Sequence, residues 1–373
     1  MRKKTIAALT AVVMVITFMP KPSFAMSDRP IKDEEGVVQE NMMELDVEGV
    51  AEIVESSTDA LDLLTNVDKE DDEFKIEGKE SDVIIPENGD GKIVMDGNGG
   101  DRFSMSLPKQ ICSMNGKIAG EGTVVYDNDI SNVAVAVQGV QEKQGDIVVD
   151  GFRSLMIIEN PDAPHEYQFE FNLPDGCKLV QDGNYINIVN ENNIITDENG
   201  EQFYEIIGSI NPAWARDSNG DSVNSYYKLN GNIITQVVEF DAYSAFPIVA
   251  DPTATGKPKS KYVSTKSIGC NISHSVIGVG SFVAGSGFKF LTASAKKKVV
   301  TAVAAKLGSK VIPIVSWSSW AVTGYAALAS GAGYDHTKIT GSYEVWTYYK
   351  KQGGQWVQGY QYRNGKMKCK LVK

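Results

Sequence analysis

Short apolar runs separated by Gly, Asn and Asp dominate the chain between Phe74 and Phe240. These runs lie at residues 93–95, 123–126, 133–137, 147–149, 155–158, 167–171, 185–189, 203–207 and 233–240. Dipeptides typical of tight turns fall between them, namely Asp182-Gly183, Asn199-Gly200, Asn219-Gly220 and Asn230-Gly231. Runs of this length and spacing predict an antiparallel β-rich domain over residues 74–251, built as a sandwich or a barrel.

The stretch before this domain has a different pattern. Residues 26–73 are dense in Asp and Glu, and apolar positions such as Val50, Val54 and Leu64 recur irregularly. Few apolar residues and many like charges favour a segment that is partly disordered or helical.

The C-terminal stretch alternates apolar and polar residues with a period of two. The alternation covers residues 343–350 and 356–362, and Met367, Cys369 and Leu371 then alternate with Lys366, Lys368 and Lys370. Gly353-Gly354 and Asn364-Gly365 separate the three runs. The pattern predicts a three-stranded β-meander over about residues 341–373.

Two uncharged runs, residues 267–288 and 311–334, precede the meander, and an apolar helical face lies between them. The pattern predicts helices over about residues 272–332, and the second run is long enough to cross a bilayer. Lysines suited to an anionic lipid surface accompany the helical face: Lys296, Lys297, Lys298, Lys306 and Lys310. Apolar side chains expected to enter the membrane are Trp317, Trp320 and Val322. The alternative is a set of buried core helices in a soluble domain.

These elements together predict an α+β multidomain fold. A β-rich domain is followed by a basic domain over residues 252–373, which consists of the helical segment and the meander. The charge of the chain inverts between the two. Residues 252–373 hold 18 basic and 2 acidic side chains, a net of +16, whereas residues 26–251 hold 14 basic and 46 acidic side chains, a net of −32. Attraction between them makes the acidic region an expected intramolecular mask for the basic region.

The inversion falls at Phe246-Pro247-Ile248-Val249-Ala250-Asp251-Pro252-Thr253. Pro252, Gly256 and Pro258 predict an exposed linker there, where cleavage of the chain is tolerated. An Asp-Pro bond is also chemically weak. We therefore expect processing between Asp251 and Pro252, or a few residues later.

The N-terminus carries the pattern of an export signal. Arg2, Lys3 and Lys4 precede an apolar run, and small residues stand at Ser23 and Ala25. We expect cleavage after Ala25, so that the mature, secreted chain begins at Met26.

Residues with recognisable catalytic or ligand-binding patterns are scarce. The three histidines, His165, His274 and His336, have no motif partner, and the chain contains no HExxH, GxSxG or phosphate-binding loop. We expect no catalytic residues, no metal, no cofactor and no nucleic-acid partner, and a protein that is not an enzyme.

The layout resembles the large secreted bacteriocin precursors typified by closticin. The match consists of the Ala250-Asp251-Pro252 junction, the Gly/Ala-rich segment after it, and one cysteine near each end of that segment, Cys270 and Cys369. The resemblance implies a cationic C-terminal fragment that permeabilises the membranes of competing bacteria, and it raises an immunity protein as a further partner. The basic meander departs from that family. The alternative function is a secreted surface or wall-binding adhesion protein.

Four cysteines allow three pairings in an oxidising compartment. If the chain is cut at Asp251-Pro252, a bridge from Cys112 or Cys177 to the basic region would keep the fragment tethered. We therefore predict a disulfide between Cys270 and Cys369. The alternative is two free, buried thiols.

Overall fold

Antiparallel strands make up most of the chain that the structure describes. The computed structural model describes residues 46–58, 62–97, 101–111, 114–127, 132–273 and 334–373, with the single residues Ser275, Thr301 and Ala305. Within these ranges the elements are, in chain order, helix α1 (Val47–Ser57), strands β1 (Asp62–Leu63), β2 (Val67–Glu70), β3 (Glu73–Ile76), β4 (Ser81–Pro86), β5 (Lys92–Gly97), β6 (Arg102–Ser106), a 3-10 turn (Lys109–Ile111), β7 (Lys117–Ala119), β8 (Thr123–Tyr126), β9 (Val133–Gln144), β10 (Ile147–Ile158), β11 (Glu166–Asn172), β12 (Cys177–Asp182), β13 (Tyr185–Thr196), β14 (Gln202–Ile210), β15 (Ala215–Arg216), β16 (Asn224–Asn230), β17 (Ile233–Glu239), β18 (Ile248–Ala250), β19 (Thr253–Gly256), β20 (Tyr262–Ser273), β21 (His336–Gln352) and β22 (Gln355–Val372).

Two large sheets form a sandwich. The first sheet has the strand order β12-β13-β14-β19-β10-β9-β8-β7, with β1, β15 and β18 paired beside this path, and the second has the order β16-β17-β11-β6-β5-β4-β3-β2. One apolar core joins them. Phe152 from the first sheet and Phe103 and Phe169 from the second are almost fully buried in it. The prediction of an antiparallel β-rich domain is therefore confirmed, and its form is the sandwich.

Glycines in the left-handed region close the hairpins of this domain. Gly183, with a φ of 60°, lies between β12 and β13, and Gly231, with a φ of 59°, lies between β16 and β17. A residue with a Cβ is disfavoured at such angles, so the Asp-Gly and Asn-Gly pairs fix the turns locally.

Helix α1 covers the outer face of the first sheet. Asp46 caps its N-terminus by accepting a hydrogen bond from the Gly49 N–H at 2.8 Å. Val50 and Val54 are fully buried and pack with Leu155 of β10 in a second apolar cluster. Part of the acidic segment before residue 74 is thus an ordered piece of the domain.

The basic region forms a third sheet, of order β20-β21-β22. The predicted three-stranded meander over residues 341–373 is wrong, because β22 runs without a turn from Gln355 to Val372 and the third strand is Tyr262–Ser273. Asn364-Gly365 does not reverse the chain. Asn364 has a φ of 53° and lies opposite a shift of register between Ser342 and Glu344, so the dipeptide forms a bulge.

The α+β class is also wrong for the part of the chain that the structure describes. Three antiparallel sheets account for the fold there, α1 is the one α-helix with described bounds, and the single residues Ser275, Thr301 and Ala305 are helical. The helices expected over about residues 272–332 lie almost entirely outside the described residues. Ile272 and Ser273, at the start of that range, belong to β20. Exposed and less exposed positions alternate along the later part of β20. A run without charged residues can therefore form a strand as well as a helix, and the sequence pattern did not distinguish the two.

The predicted disulfide between Cys270 and Cys369 does not form in this structure. Cys369 is a free cysteine. Cys270 lies opposite Ile339 on one side of β21, and Cys369 lies opposite the same Ile339 on the other side. Two strand spacings of about 4.8 Å separate their backbones, beyond the reach of a disulfide. Burial raises the pKa of the Cys369 thiol to about 11, which keeps it protonated at neutral pH.

We predict that Cys270 and Cys369 of the purified chain are both thiols. After unfolding without reductant, alkylation should label both residues, because neither is protected by a bridge. Peptide mass spectrometry checks this. A peptide pair that contains both cysteines and separates only on reduction would show that the sheet rearranges to form the bond.

Candidate functional site

The predicted processing junction lies inside the first sheet. Ala250 lies opposite Met156 of β10, and Thr253 lies opposite Arg153 of the same strand. The two pairs are three residues apart on both strands, so β18 and β19 continue one register. Pro252, which has no N–H, interrupts the ladder between them.

This placement overturns the expectation of an exposed linker at Asp251-Pro252. Residues 250–256 are all buried, and β14 pairs with the far edge of β19. The exposed positions begin later, at Lys259 and Lys261. Small and β-branched side chains after the proline are the physical reason, since they fit a strand enclosed on both edges.

The Asp251 carboxyl group is the most unusual polar group of the junction. Its side chain is fully buried. The Trp214 N–H donates to Oδ1 at 2.9 Å, and Nε2 of Gln236 lies 3.4 Å from the same oxygen. Among the described residues, Oδ2 has no hydrogen-bond partner that meets ordinary geometry, and the same holds for the buried Tyr227 hydroxyl.

Burial gives this carboxyl group an unusual acidity. Loss of hydration raises the pKa of Asp251 to about 7, although the Trp214 N–H and the Tyr227 hydroxyl oppose the shift. Burial and the charge of Asp251 together raise the pKa of Tyr227 well above its ordinary value, so the phenol stays neutral. Asp251 therefore exchanges a proton near neutral pH inside a protein core.

Lysines beyond the junction meet carboxylates of the sandwich. Lys257 forms ion pairs with Glu205 and with Asp101, the latter at 2.8 Å, and all three side chains are largely covered. Lys261 lies 3.5 Å from Glu80, which also accepts a hydrogen bond from the Lys259 N–H. Covered pairs are less screened by salt than exposed ones, so this cluster is a specific electrostatic link between the two regions.

A cavity of about 300 Å³ is lined in part by Lys257 and Lys259. Glu80, Asp101 and Glu205 of the sandwich line it, and so do Trp346 and Arg363 of the third sheet. The third sheet and the sandwich thus border one cavity here.

The turn between β21 and β22 makes the apolar part of the contact. Trp356 is 3% exposed and packs with Val149 of β10. Its backbone N–H donates to Oε1 of Gln144 at 2.7 Å. Gly354 has a φ of 79°, and a Cβ there would come within 2.2 Å of the Tyr185 ring. The Gly353-Gly354 pair therefore serves both the turn and the approach of the hairpin to β13.

Lys351 shows how tightly this turn is enclosed. Its Nζ atom lies 4.9 Å from the centre of the Trp356 ring and 5.6 Å from that of Tyr185. Burial lowers the pKa of Lys351 to about 8, against the opposing charge of Glu142. The Lys351 ammonium group is thus largely removed from water and lies over the faces of the Trp356 and Tyr185 rings instead.

The far end of the third sheet has one basic and one apolar face. Lys368 and Lys370 are exposed, whereas Cys369 between them is half-buried. Lys338 lies directly opposite Lys370. Like charges at such positions repel, and neither lysine forms an ion pair in the part of the chain described here.

The other predicted site residues lie outside the described ranges. These are Ala25 and Met26 at the signal junction, and the proposed membrane-interacting residues Lys296, Lys297, Lys298, Lys306, Lys310, Trp317, Trp320 and Val322. Among the described residues, no helix is long and apolar enough to cross a membrane, and no cluster of side chains is arranged to hold a metal ion.

The partners that define the junction were not predicted from the sequence. Tyr227 lies on β16 and Gln236 on β17. The run at 233–240 and the Asn230-Gly231 turn were expected, but nothing local marks Tyr227 and Gln236 as neighbours of Asp251. Trp356 could be assigned to a strand from the sequence, because the alternating run after Gly353-Gly354 begins there.

We predict that Asp251→Asn makes the stability of the fold less dependent on pH. The pKa of Asp251 is higher in the folded chain than in the unfolded chain. Its stabilising contribution is therefore complete below about pH 4 and is lost as the pH rises through about 7, by up to about 4 kcal/mol. Urea unfolding at pH 5 and pH 8 should show a smaller difference for the variant. Asp162→Asn, in an exposed loop, is the matched control, and equal pH dependence in all three proteins would contradict the prediction.

No family model, curated protein or solved structure matches this chain. The function must therefore be argued from the geometry of the junction and of the third sheet.

Proposed function

We propose that the chain is the precursor of a secreted antimicrobial protein whose basic C-terminal part permeabilises the membranes of competing bacteria. The acidic sandwich holds that part until it is released. The observation that carries the proposal is that the two ends of the third sheet differ: one end is docked on the sandwich, and the other presents lysines that form no ion pair among the described residues.

The docked end supports the masking role. Trp356 is buried there, and Lys257 is paired with two carboxylates. Replacing a buried tryptophan by alanine typically costs about 3–5 kcal/mol, so this contact contributes substantially to holding the basic part in place.

The free end supports the membrane role. Lys338, Lys368 and Lys370 share one face and lack acidic partners among the described residues. Near an anionic bilayer each lysine gains about 1 kcal/mol, which offsets their mutual repulsion. Ser273 and His336 are paired, so the segment that carries the uncharged runs starts and ends at this same end of the sheet.

A wall-binding adhesion protein is the second candidate. Exposed aromatic side chains on the third sheet favour it: Tyr262 is 52% exposed and Tyr360 is 39% exposed. Aromatic platforms of this kind suit polymer binding. Sedimentation of the uncut chain with purified cell-wall sacculi, but no vesicle leakage after cutting, would favour adhesion over the antimicrobial role.

We predict that cutting the linker activates the protein. A specific protease site inserted between Lys259 and Ser260 uses the exposed part of the linker and leaves the sandwich strands intact. Dye leakage from phosphatidylglycerol vesicles should be low for the uncut chain and high after cutting, and weaker with phosphatidylcholine alone. Trp356→Ala should raise leakage by the uncut chain, because it weakens docking.

Charge-reversal variants test the basic face. Replacing Lys338, Lys368 and Lys370 by Glu should abolish leakage after cutting. Replacing the exposed sandwich residues Lys79, Lys109 and Lys117 by Glu changes the net charge equally and should leave leakage intact. Equal leakage by uncut and cut wild-type protein would contradict masking, and equal loss in both triple variants would contradict a role for this face.

A further inference from the structure

The position of the Asp251 carboxyl group has a chemical consequence that does not depend on what the basic region does. Asp251 precedes the only Asp-Pro bond of the chain. The Trp214 N–H anchors its Oδ1 atom at 2.9 Å, whereas the buried Oδ2 atom makes no hydrogen bond of ordinary geometry among the described residues, although the Tyr227 hydroxyl is near enough to favour the charged form. Buried carboxyl oxygens normally have well-formed hydrogen bonds, so Oδ2 is held less firmly than Oδ1.

An aspartyl side chain can attack its own backbone carbonyl carbon. The product is a five-membered cyclic anhydride, and the leaving group is the nitrogen of the next residue. Proline favours this route for two reasons. Its nitrogen is more basic than that of other residues, and it has no N–H with which to form the competing succinimide.

We propose that the folded chain cuts itself between Asp251 and Pro252, with the Asp251 carboxyl group as nucleophile and no protease. A bond forms between Oδ2 and the carbonyl carbon of Asp251, and the bond from that carbon to the Pro252 nitrogen breaks. The proton of the carboxyl group passes to the leaving nitrogen. Water then opens the anhydride, which restores the side chain and leaves Asp251 as a new C-terminus. The net change is the addition of one water molecule.

The surroundings of the carboxyl group set the pH dependence. Tyr227 is the titratable group of β16 that faces it, and Gln236 of β17 is neutral. On the neighbouring β10, Arg153 donates to Gln138 instead. The reaction uses one carboxylate and one proton, so its rate follows the protonated fraction of Asp251. With a pKa of about 7, the rate is constant at lower pH and falls tenfold per unit at higher pH.

The two products remain together after the cut. Thr253–Gly256 is paired on one edge with β10 and on the other with β14, so the new N-terminal strand stays within the sandwich. Cleavage therefore yields a two-chain complex, and separation is a later step.

The test uses the purified mature chain, residues 26–373, kept folded with protease inhibitors at pH 5.5, 7 and 9. Intact mass and N-terminal sequencing should show a fragment that begins at Pro252, formed most slowly at pH 9. Asp251→Asn keeps the shape of the side chain and should abolish the cut, while Asp162→Asn should not change it. The same wild-type chain in guanidinium at pH 5.5 should be cut at least about tenfold more slowly, because the unfolded carboxyl group has its ordinary pKa of about 4 and is mostly ionised, and because the fold no longer orients it.

Each result decides the question. No fragment from folded wild-type protein, a fragment from Asp251→Asn, or equal rates in folded and unfolded chains would overturn self-cleavage. A melting temperature of Asp251→Asn at or above that of the wild type excludes misfolding as the reason for its inactivity. If the fragments form, native size-exclusion chromatography should show them eluting together; separate elution would overturn the retained complex. Vesicle leakage is not part of this test, so the proposed antimicrobial role can fail while self-cleavage stands.

Discussion

A single strand running through residues 248–256 holds the molecule together. Residues 248–250 lie between β10 and β15, and residues 253–256 lie between β10 and β14. This stretch carries the chain from the acidic region into the basic region. The sandwich is incomplete without residues that follow the inversion of charge. The net charge of the chain therefore changes sign at Asp251-Pro252, whereas the last strand of the sandwich ends later, at Gly256.

Electrostatic attraction between the regions has two components with different sensitivity to salt. The general excess of Asp and Glu acts over the surface and is screened beyond about 10 Å at 0.1 M salt. The Lys257 pairs with Asp101 and Glu205 are largely covered and are screened much less. Together with the buried Trp356, they make the docking of the third sheet a matter of specific contacts more than of net charge.

Local signals in the sequence were sufficient for the β-rich domain and insufficient for the third sheet. Pairs such as Asp182-Gly183 fix a hairpin within a few residues, so the pattern around them is enough. The pairing of β20 with β21 joins residues such as Cys270 and Ile339, which are far apart in the chain, and no local pattern records such a partner. Asn364-Gly365 carries the same signal as a turn, but the continuing partner strand converts it into a bulge. The burial of Asp251 likewise depends on Trp214 and Gln236, which meet it only in the folded state.

The pairing of Ser273 with His336 places a topological condition on the segment between them. Residues opposite each other on antiparallel strands have Cα atoms about 5 Å apart. Both ends of the segment therefore stand on the same side of any bilayer that the sheet approaches.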